Sequence, residues 1–311
     1  MITSTKNPRI VEARKLTQRK YRLEQNRFLV EGLQLLDMAV QAATRPQARV
    51  KPLELFYSEA LFTGETAPRL LKQLTQAGAE AIPVAPPVLD TLSERDTSQG
   101  LAATFSLSDL EWSLDELELT LSPNQSALDS EDKRSQASLD DAAPLFASDA
   151  SSAHSTSASA LLLVLDKLQD PGNLGTLIRT ADAVGVRAII LLEPCVDPFD
   201  PKTVRGTMGS LFIVPFARTK NAAEALSRLT QSGYRLVGAD GQHGEPPWQS
   251  EVLVGSVALI LGNEARGLSP GLRPHLQDYV RLPLRGQAES LNVSVAGGVL
   301  MYEWLRVNEE E

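Results

Sequence analysis

The 311-residue chain has one cysteine, Cys195, and three histidines. A single cysteine excludes an internal disulfide framework and fits a reducing, cytoplasmic setting. So few thiols and imidazoles argue against a structural zinc site, and no metal is expected. No run of eighteen apolar residues occurs, so no membrane-spanning helix is expected. The opening segment, MITSTKNPRIVEARK, lacks the apolar core of a secretory signal. Also missing is the Gly-x-Gly-x-x-Gly that a dinucleotide site needs between its first strand and helix. The turn from Pro171 to Thr176 offers only Gly172 and Gly175, which argues against a nicotinamide-dependent oxidoreductase.

What the chain does have is 42% hydrophobic residues, enough to build cores, over a length that suits one large or two ordinary domains. Its net charge of −9 is unevenly spread. Residues 109–159 hold eleven acidic and two basic side chains, an imbalance equal to that of the whole chain. The first 27 residues hold eight basic and two acidic ones. Arg14, Lys15, Arg19, Lys20 and Arg22 recur there, with Ile10, Val11, Leu16 and Leu23 between them. Such a segment is either a solvated helix face or a surface for nucleic-acid phosphates. A local positive patch can serve the second role whatever the global charge.

Up to residue 108, strand-like runs (28–32, 53–57, 81–84 and the end of 97–105) alternate with helix-like ones (33–43, 69–77, 88–94). That alternation indicates a small α/β domain. From Ser122 onward Ser, Ala and Asp dominate without periodicity, so residues 120–159 are expected to be disordered, within a linker or insert spanning 109–159. From Ala160 the pattern changes. ALLLVLD (160–166) has the continuous apolar character of a strand buried on both faces. Strands are expected at 188–193, 211–215, 235–239, after 256 and at 279–282, and helices at 174–184 and 222–231. A last helix opens near Asn292, with Leu291, Val295, Val299 and Leu300 close to one face. Its Ala296-Gly297-Gly298 suggests close approach of another backbone. Residues 160–311 thus read as a doubly wound, mostly parallel α/β domain.

Three polar loops follow three of these strands: DPGNLGTLIR (170–179), GNEARG (262–267) and LRGQAESLNVS (284–294). Loops at the carboxyl ends of parallel strands converge on one crevice. Taken singly, each has an ordinary explanation. Asn173 and Gly175 could form a helix cap and a turn, Glu264 could be a surface carboxylate, and Arg179 could snorkel or pair with an acid.

Taken together, their set and order resemble the SpoU (TrmH) family of RNA ribose 2′-O-methyltransferases. The family's first motif is matched by Asn173, Gly175 and Arg179, the second by Gly262-Asn263-Glu264 with Gly267, and the third by Ser290 to Ser294. The resemblance covers residues 160–307. KNPRI, the basic helix, FLVEG and SQGLAA also resemble the family's N-terminal substrate-binding domain, here residues 1–108. Ser98 stands where that domain usually has Pro, and the acidic insert lies where relatives have a short linker. The resemblance implies a deep trefoil knot enclosing an S-adenosyl-L-methionine pocket, with Leu261, Gly262, Leu282, Leu291 and Asn292 contacting the cofactor. It implies Arg179 as the principal catalytic residue, assisted by Asn173, Glu264, Asn292 and Ser294. It also implies structured RNA as substrate, ribosomal ahead of transfer RNA, with a non-catalytic RNA-binding or ribosome-assembly protein of the same fold as the alternative, and a homodimer formed through the C-terminal helix.

Overall fold

The computed structural model describes residues 1–45, 49–93, 98–121 and 159–309. Helix α1 (Pro8–Lys15) starts where Asn7 Oδ1 accepts the Arg9 N–H at 3.0 Å and Pro8 presets the first turn. Helix α2 (Arg19–Gln25) ends at Asn26, a left-handed residue with φ 48°. Then come β1 (Arg27–Glu31), α3 (Leu33–Ala43), β2 (Pro52–Tyr57), α4 (Thr66–Gln76), β3 (Glu80–Pro83), α5 (Pro86–Asp90) and β4 (Leu101–Ser106). The four strands order β1-β4-β2-β3, with β4 antiparallel to both its neighbours and β2 parallel to β3. Alternate residues serve opposite faces. Leu55 joins the core with Leu36, Leu70 and Leu74, whereas Phe56 packs with Ile10, Ala13, Val88 and Leu89.

The chain then forms α6 (Leu107–Leu110), β5 (Glu111–Trp112) and α7 (Leu114–Leu121). This corrects the expectation of a linker beginning at 109. Glu111 and Trp112 pair in parallel with Phe216 and Ala217, so β5 is the edge strand of the second sheet. The reason is packing. Trp112, Leu114 and the fully covered Leu117 supply the apolar contacts that the acidic neighbours conceal in the sequence. The rest of the expected disordered segment, 122–158, lies outside the described residues.

The second half comprises β6 (Leu161–Asp166), α8 (Pro171–Val184), β7 (Ala188–Leu192), α9 (Pro201–Gly206), β8 (Phe216–Thr219), α10 (Ala222–Gln231), β9 (Arg235–Ala239), β10 (Val257–Leu261), β11 (Asp278–Val280) and α11 (Val293–Asn308). Its sheet is seven-stranded, ordered β11-β9-β10-β6-β7-β8-β5, and every pairing is parallel. Strands β6, β7 and β10 are buried throughout, as the apolar runs predict. From β6 the chain moves out to β7 and β8, then returns to the other side for β9, β10 and β11. The order therefore reverses between β6 and β10, and a ligand crevice is expected at their carboxyl ends.

Local expectations differ in three places. The run Leu211 to Pro215 is not a strand. Met208 (φ 53°) and Gly209 (φ 103°) turn the chain into a short 3₁₀ segment at Ser210–Phe212, and β8 starts only at Phe216. Gly175 marks no turn. A Cβ there would lie 2.8 Å from Gly206 Cα, so it is where the backbones of α8 and α9 cross. Gly297 meets side chains rather than another backbone, for its Cβ would lie 2.6 Å from both Leu177 and Leu261. The buried face of α11 is Gly297, Leu300, Met301 and Trp304, whereas Val295 and Val299 are 53% and 44% exposed.

The two sheets share a core. Phe28 of β1 stacks obliquely on Phe199 (centroids 4.8 Å apart), and Phe105 of β4 on Phe212 (5.0 Å). Each such pair contributes about 0.5–1.5 kcal/mol beyond its burial.

Candidate active site

Three loops meet at the carboxyl ends of β6, β10 and β11, and one carboxylate ties two of them together. Glu264 Oε1 accepts the Asp170 N–H at 3.1 Å, and its Oε2 the Gln169 N–H at 3.3 Å. Asn173 Nδ2 donates to Glu264 Oε1 at 3.1 Å. Asn173 Oδ1 in turn accepts from Asn292 Nδ2 at 2.9 Å. Asn292 Oδ1 takes the Ser294 N–H at 2.9 Å, the Ser294 hydroxyl at 2.6 Å and the Val295 N–H at 3.3 Å, capping α11. Ser294, Asn292, Asn173 and Glu264 thus form one hydrogen-bond chain. Its polarity is set at both ends. Backbone N–H groups can only donate and a carboxylate can only accept, so each carboxamide has one workable orientation.

The ordinary explanation of Asn173 as a helix cap does not hold, for the cap of α8 is Asp170, whose Oδ1 accepts the Asn173 N–H at 2.8 Å. That N–H, then the Lys202 ammonium 3.6 Å away, hold the Asp170 carboxyl below the usual carboxylate range. Arg179 also departs from expectation. Asn173, Glu264, Asn292 and Ser294 bond to one another rather than to it. Arg179 is exposed on α8 and has no hydrogen-bond or ion-pair partner among the described residues. Its guanidinium is therefore available to an anionic ligand.

Leu261, Gly262, Leu282 and Leu291 line a cavity of about 430 Å³, roofed by Val293 and Leu300 of the α11 region. Ligand sites commonly fall in the range of about 300–1,000 Å³. Gly262 is required by space. A Cβ there would lie under 3.0 Å from the Gly267 carbonyl carbon and the Leu268 nitrogen. Asn292, expected in the cofactor set, does not line this cavity. It lines a second cleft of about 670 Å³ with Gln169, Asp170 and Asn173. The two cavities share Glu264, Ser290, Leu291 and Val293 as a common wall.

Several further residues, outside the candidate set, shape the site. Asn263 Nδ2 donates to the Lys167 carbonyl at 2.9 Å, and its Oδ1 accepts the Ala265 and Arg266 N–H groups, closing the 262–267 turn. Asp166, 2% exposed, accepts the Ser269 N–H at 2.7 Å and the Ser269 hydroxyl at 3.1 Å, anchoring that loop to β6. A charged residue ending an apolar run was the available signal. The loop after β9 adds Asp240 and Gln242 to the first cavity, as a polar segment following a strand could have indicated.

The expected phosphate-binding residues divide. Arg14, Arg19 and Lys20 are exposed, and Lys15 is partly so, with its ammonium 2.7 Å from Glu12. Arg22 is a correction. It is 2% exposed, paired with Asp197 at 2.7 Å and bonded to the Leu16 and Thr17 carbonyls. Those contacts tie α2 to the loop before α9 and leave Arg22 no surface for RNA.

A parallel doubly wound sheet with a cavity at its switch point, joined to a small mixed α/β unit with a basic surface, defines a ligand-binding α/β protein of two parts. Comparison with known proteins agrees part by part. Residues 160–302 match the SpoU rRNA methylase family, and residues 7–103 match the MRM3-like substrate binding domain. An uncharacterised tRNA/rRNA methyltransferase of Synechocystis is 30% identical over 97% of this chain and 92% of its own. The 23S rRNA (guanosine(2553)-2′-O)-methyltransferase RlmP of Bacillus subtilis is 30% identical over 97% of both chains. The AdoMet-bound rRNA methyltransferase of Sinorhizobium meliloti superposes with a TM-score of 0.75, at 27% identity, over 98% of this chain and 97% of its own. The chain belongs to the SpoU rRNA methylase family.

Proposed function

We propose that this chain transfers a methyl group from S-adenosyl-L-methionine to a ribose 2′-hydroxyl of structured RNA, ribosomal RNA in particular. The observation that carries this reading is the Ser294–Asn292–Asn173–Glu264 chain, at the seam of two adjoining cavities. The Bacillus subtilis relative is named for methylation of 23S ribosomal RNA, and the Sinorhizobium structure is of an rRNA methyltransferase that holds AdoMet.

The residues present fit the cofactor. The first cavity combines apolar walls (Leu261, Leu282, Leu291) with a backbone lip at Gly262, where no side chain would fit. When bound, S-adenosylmethionine supplies an electrophilic methyl on a sulfonium whose positive charge disappears on transfer. Apolar walls favour that loss of charge. The second cleft, across the shared wall, takes the ribose. A 2′-hydroxyl is a weak nucleophile: as its oxygen takes the methyl it releases its proton to solvent, and the negative charge that develops on the oxygen must be stabilised. Arg179 lines neither cavity but is exposed further along α8, and it is assigned this role by its fixed positive charge and by orienting the adjoining phosphate. Glu264 and the two asparagines hold the wall between the cavities.

The same reading assigns residues 1–108 to RNA binding and 160–311 to catalysis, with 111–121 added to the catalytic sheet. It includes the trefoil knot. Helix α11 follows the edge strand β11 yet packs on α8 and on Leu261 of the central β10, so the chain passes back across the strand ends. It includes a homodimer through α11, whose Val295, Val299 and Tyr302 lie exposed at i, i+4 and i+7. Ribosomal RNA as substrate sets the enzyme in the cytoplasm.

The test is tritium transfer from labelled S-adenosylmethionine to RNA from a strain lacking the gene, with the RNA then separated by size. Label in ribosomal RNA as a 2′-O-methylated nucleoside is expected. Absence of label from free RNA and from ribosomal particles alike would refute the proposal.

A further inference from the structure

We propose that the cleft between α2 and the carboxyl ends of β7 and β8 holds a backbone phosphate of the RNA near the modified nucleotide, with Arg19 and Lys220 as its contacts. This rests on the methyltransferase reading above.

The cleft has a volume of about 490 Å³ and is lined by Arg19, Glu193, Pro194, Cys195 and Lys220. It lies one loop away from the active site. The Glu193 N–H donates to the Thr219 carbonyl at 2.9 Å, which places Lys220 beside the loop after β7. That loop is joined to the loop after β6, because the Val196 N–H donates to the Leu168 carbonyl at 2.8 Å and the Lys167 N–H to the Leu192 carbonyl at 3.2 Å. The next two residues, Gln169 and Asp170, carry the N–H groups that bind Glu264. A strand of RNA lying along this edge of the sheet would pass from the active-site clefts directly into the Arg19–Lys220 cleft.

The charges suit a phosphate. Lys220 is exposed, with no hydrogen bond or ion pair among the described residues. Arg19 is 50% exposed and lies 3.8 Å from Glu193 and 4.0 Å from Asp197, too far for hydrogen bonds. Exposed pairs at such distances contribute little and are readily exchanged for a better anion. Asp197 does not need Arg19, because Arg22 already bonds it at 2.7 Å. Two cations thus share the cleft with one carboxylate, Glu193, held by Arg19 only at 3.8 Å, which sets the sign of a test that a purely structural role would not reproduce. A protein carboxylate could also pair with two cations, but the shared loop with the RNA site favours the nucleic acid.

Binding of in-vitro-transcribed large-subunit ribosomal RNA would be measured against salt concentration for the full-length protein. Lys220→Ala and Arg19→Ala should each weaken binding about three- to tenfold and reduce the log–log salt slope by about 0.7–1. The KM for RNA should rise, with kcat at saturating RNA and cofactor affinity unchanged. Lys220→Arg should preserve affinity, and Glu193→Gln should raise it. Unchanged affinity and slope in Lys220→Ala would overturn the proposal, as would weaker binding in Glu193→Gln. Loss of methyl transfer in the wild type, with these binding effects intact, would refute the catalytic reading and leave the cleft standing.

Discussion

The carboxamide of Asn292 donates to Asn173 Oδ1 at 2.9 Å, joining residues 119 positions apart. One stands at the start of α11 and the other in the first turn of α8, so the bond locks two helix ends into one corner of the site. Asn292→Asp tests it cleanly. Aspartate still caps α11 but cannot donate to Asn173, and it sets a second carboxylate near Glu264. A stability loss of about 1–3 kcal/mol is expected by urea denaturation, with methyl transfer down at least about tenfold.

Arg179 has no partner to lose among the described residues. Arg179→Ala should therefore leave thermal stability within about 0.5 kcal/mol of wild type. Methyl transfer should fall about 10²- to 10³-fold, as when one charge-stabilising group is removed from an active site. Cofactor binding by calorimetry should not change. Retained activity would remove Arg179 from the mechanism.

Gly262→Ala forces a methyl against the Gly267 carbonyl carbon, which is backbone and cannot rotate aside. The loop must shift, at a cost of about 1–3 kcal/mol. S-adenosylmethionine affinity should fall at least about tenfold in calorimetry, with little effect on RNA binding by filter assay. Gly271→Ala, where nothing lies within 4 Å, serves as the neutral control.

Arg22 and Arg14 belong to one basic run but should behave oppositely. Arg22→Ala leaves Asp197 without its principal partner and should cost about 3–5 kcal/mol in denaturant unfolding. Arg14→Ala should be neutral in stability and should weaken RNA binding in a salt-dependent way.

Cys195 supplies a pH test. Burial pushes its thiol up to about 11, from an ordinary value of 9.0. A group whose folded pKa is raised lends its stability below the unfolded value and loses it as pH rises toward the folded one. That contribution should be complete below pH 9.0 and decline between 9.0 and about 11. Alkylation by iodoacetamide at pH 8 should accordingly be slow in the native protein and rapid in urea, because the thiolate is the reacting form.

The parts of the fold legible in sequence were those where burial is symmetrical. β6, β7 and β10 are covered on both faces and read as apolar runs, while α10 and β9 end where glycine or a polar turn interrupts them. Glu111–Trp112 was illegible, because a two-residue strand has no periodicity and its acidic flank looks like linker. The α11 stripe misled for a different reason. Val295 and Val299 share a face, yet Gly297 brings the opposite face closest to α8 and β10. At the site, Asn173, Glu264, Asn292 and Ser294 were identifiable by motif, but their bonds to each other, rather than to Arg179, depend on how three loops converge. Arg22 was indistinguishable from its basic neighbours, since only the position of Asp197 shows that it is buried.

The edge strand Glu111–Trp112 also bears on where the polypeptide can be cut. Glu111 is bonded to Arg218, with Nε to Oε1 at 2.9 Å, and Trp112 lies under the Arg49 guanidinium, 4.5 Å away. The segment 1–121 therefore grips the segment 159–311 through a sheet ladder, an ion pair and a shared aromatic core, independently of the peptide link between them. A nick anywhere in 122–158 should yield two fragments that co-purify, and the two halves expressed separately should reassemble into a working split enzyme.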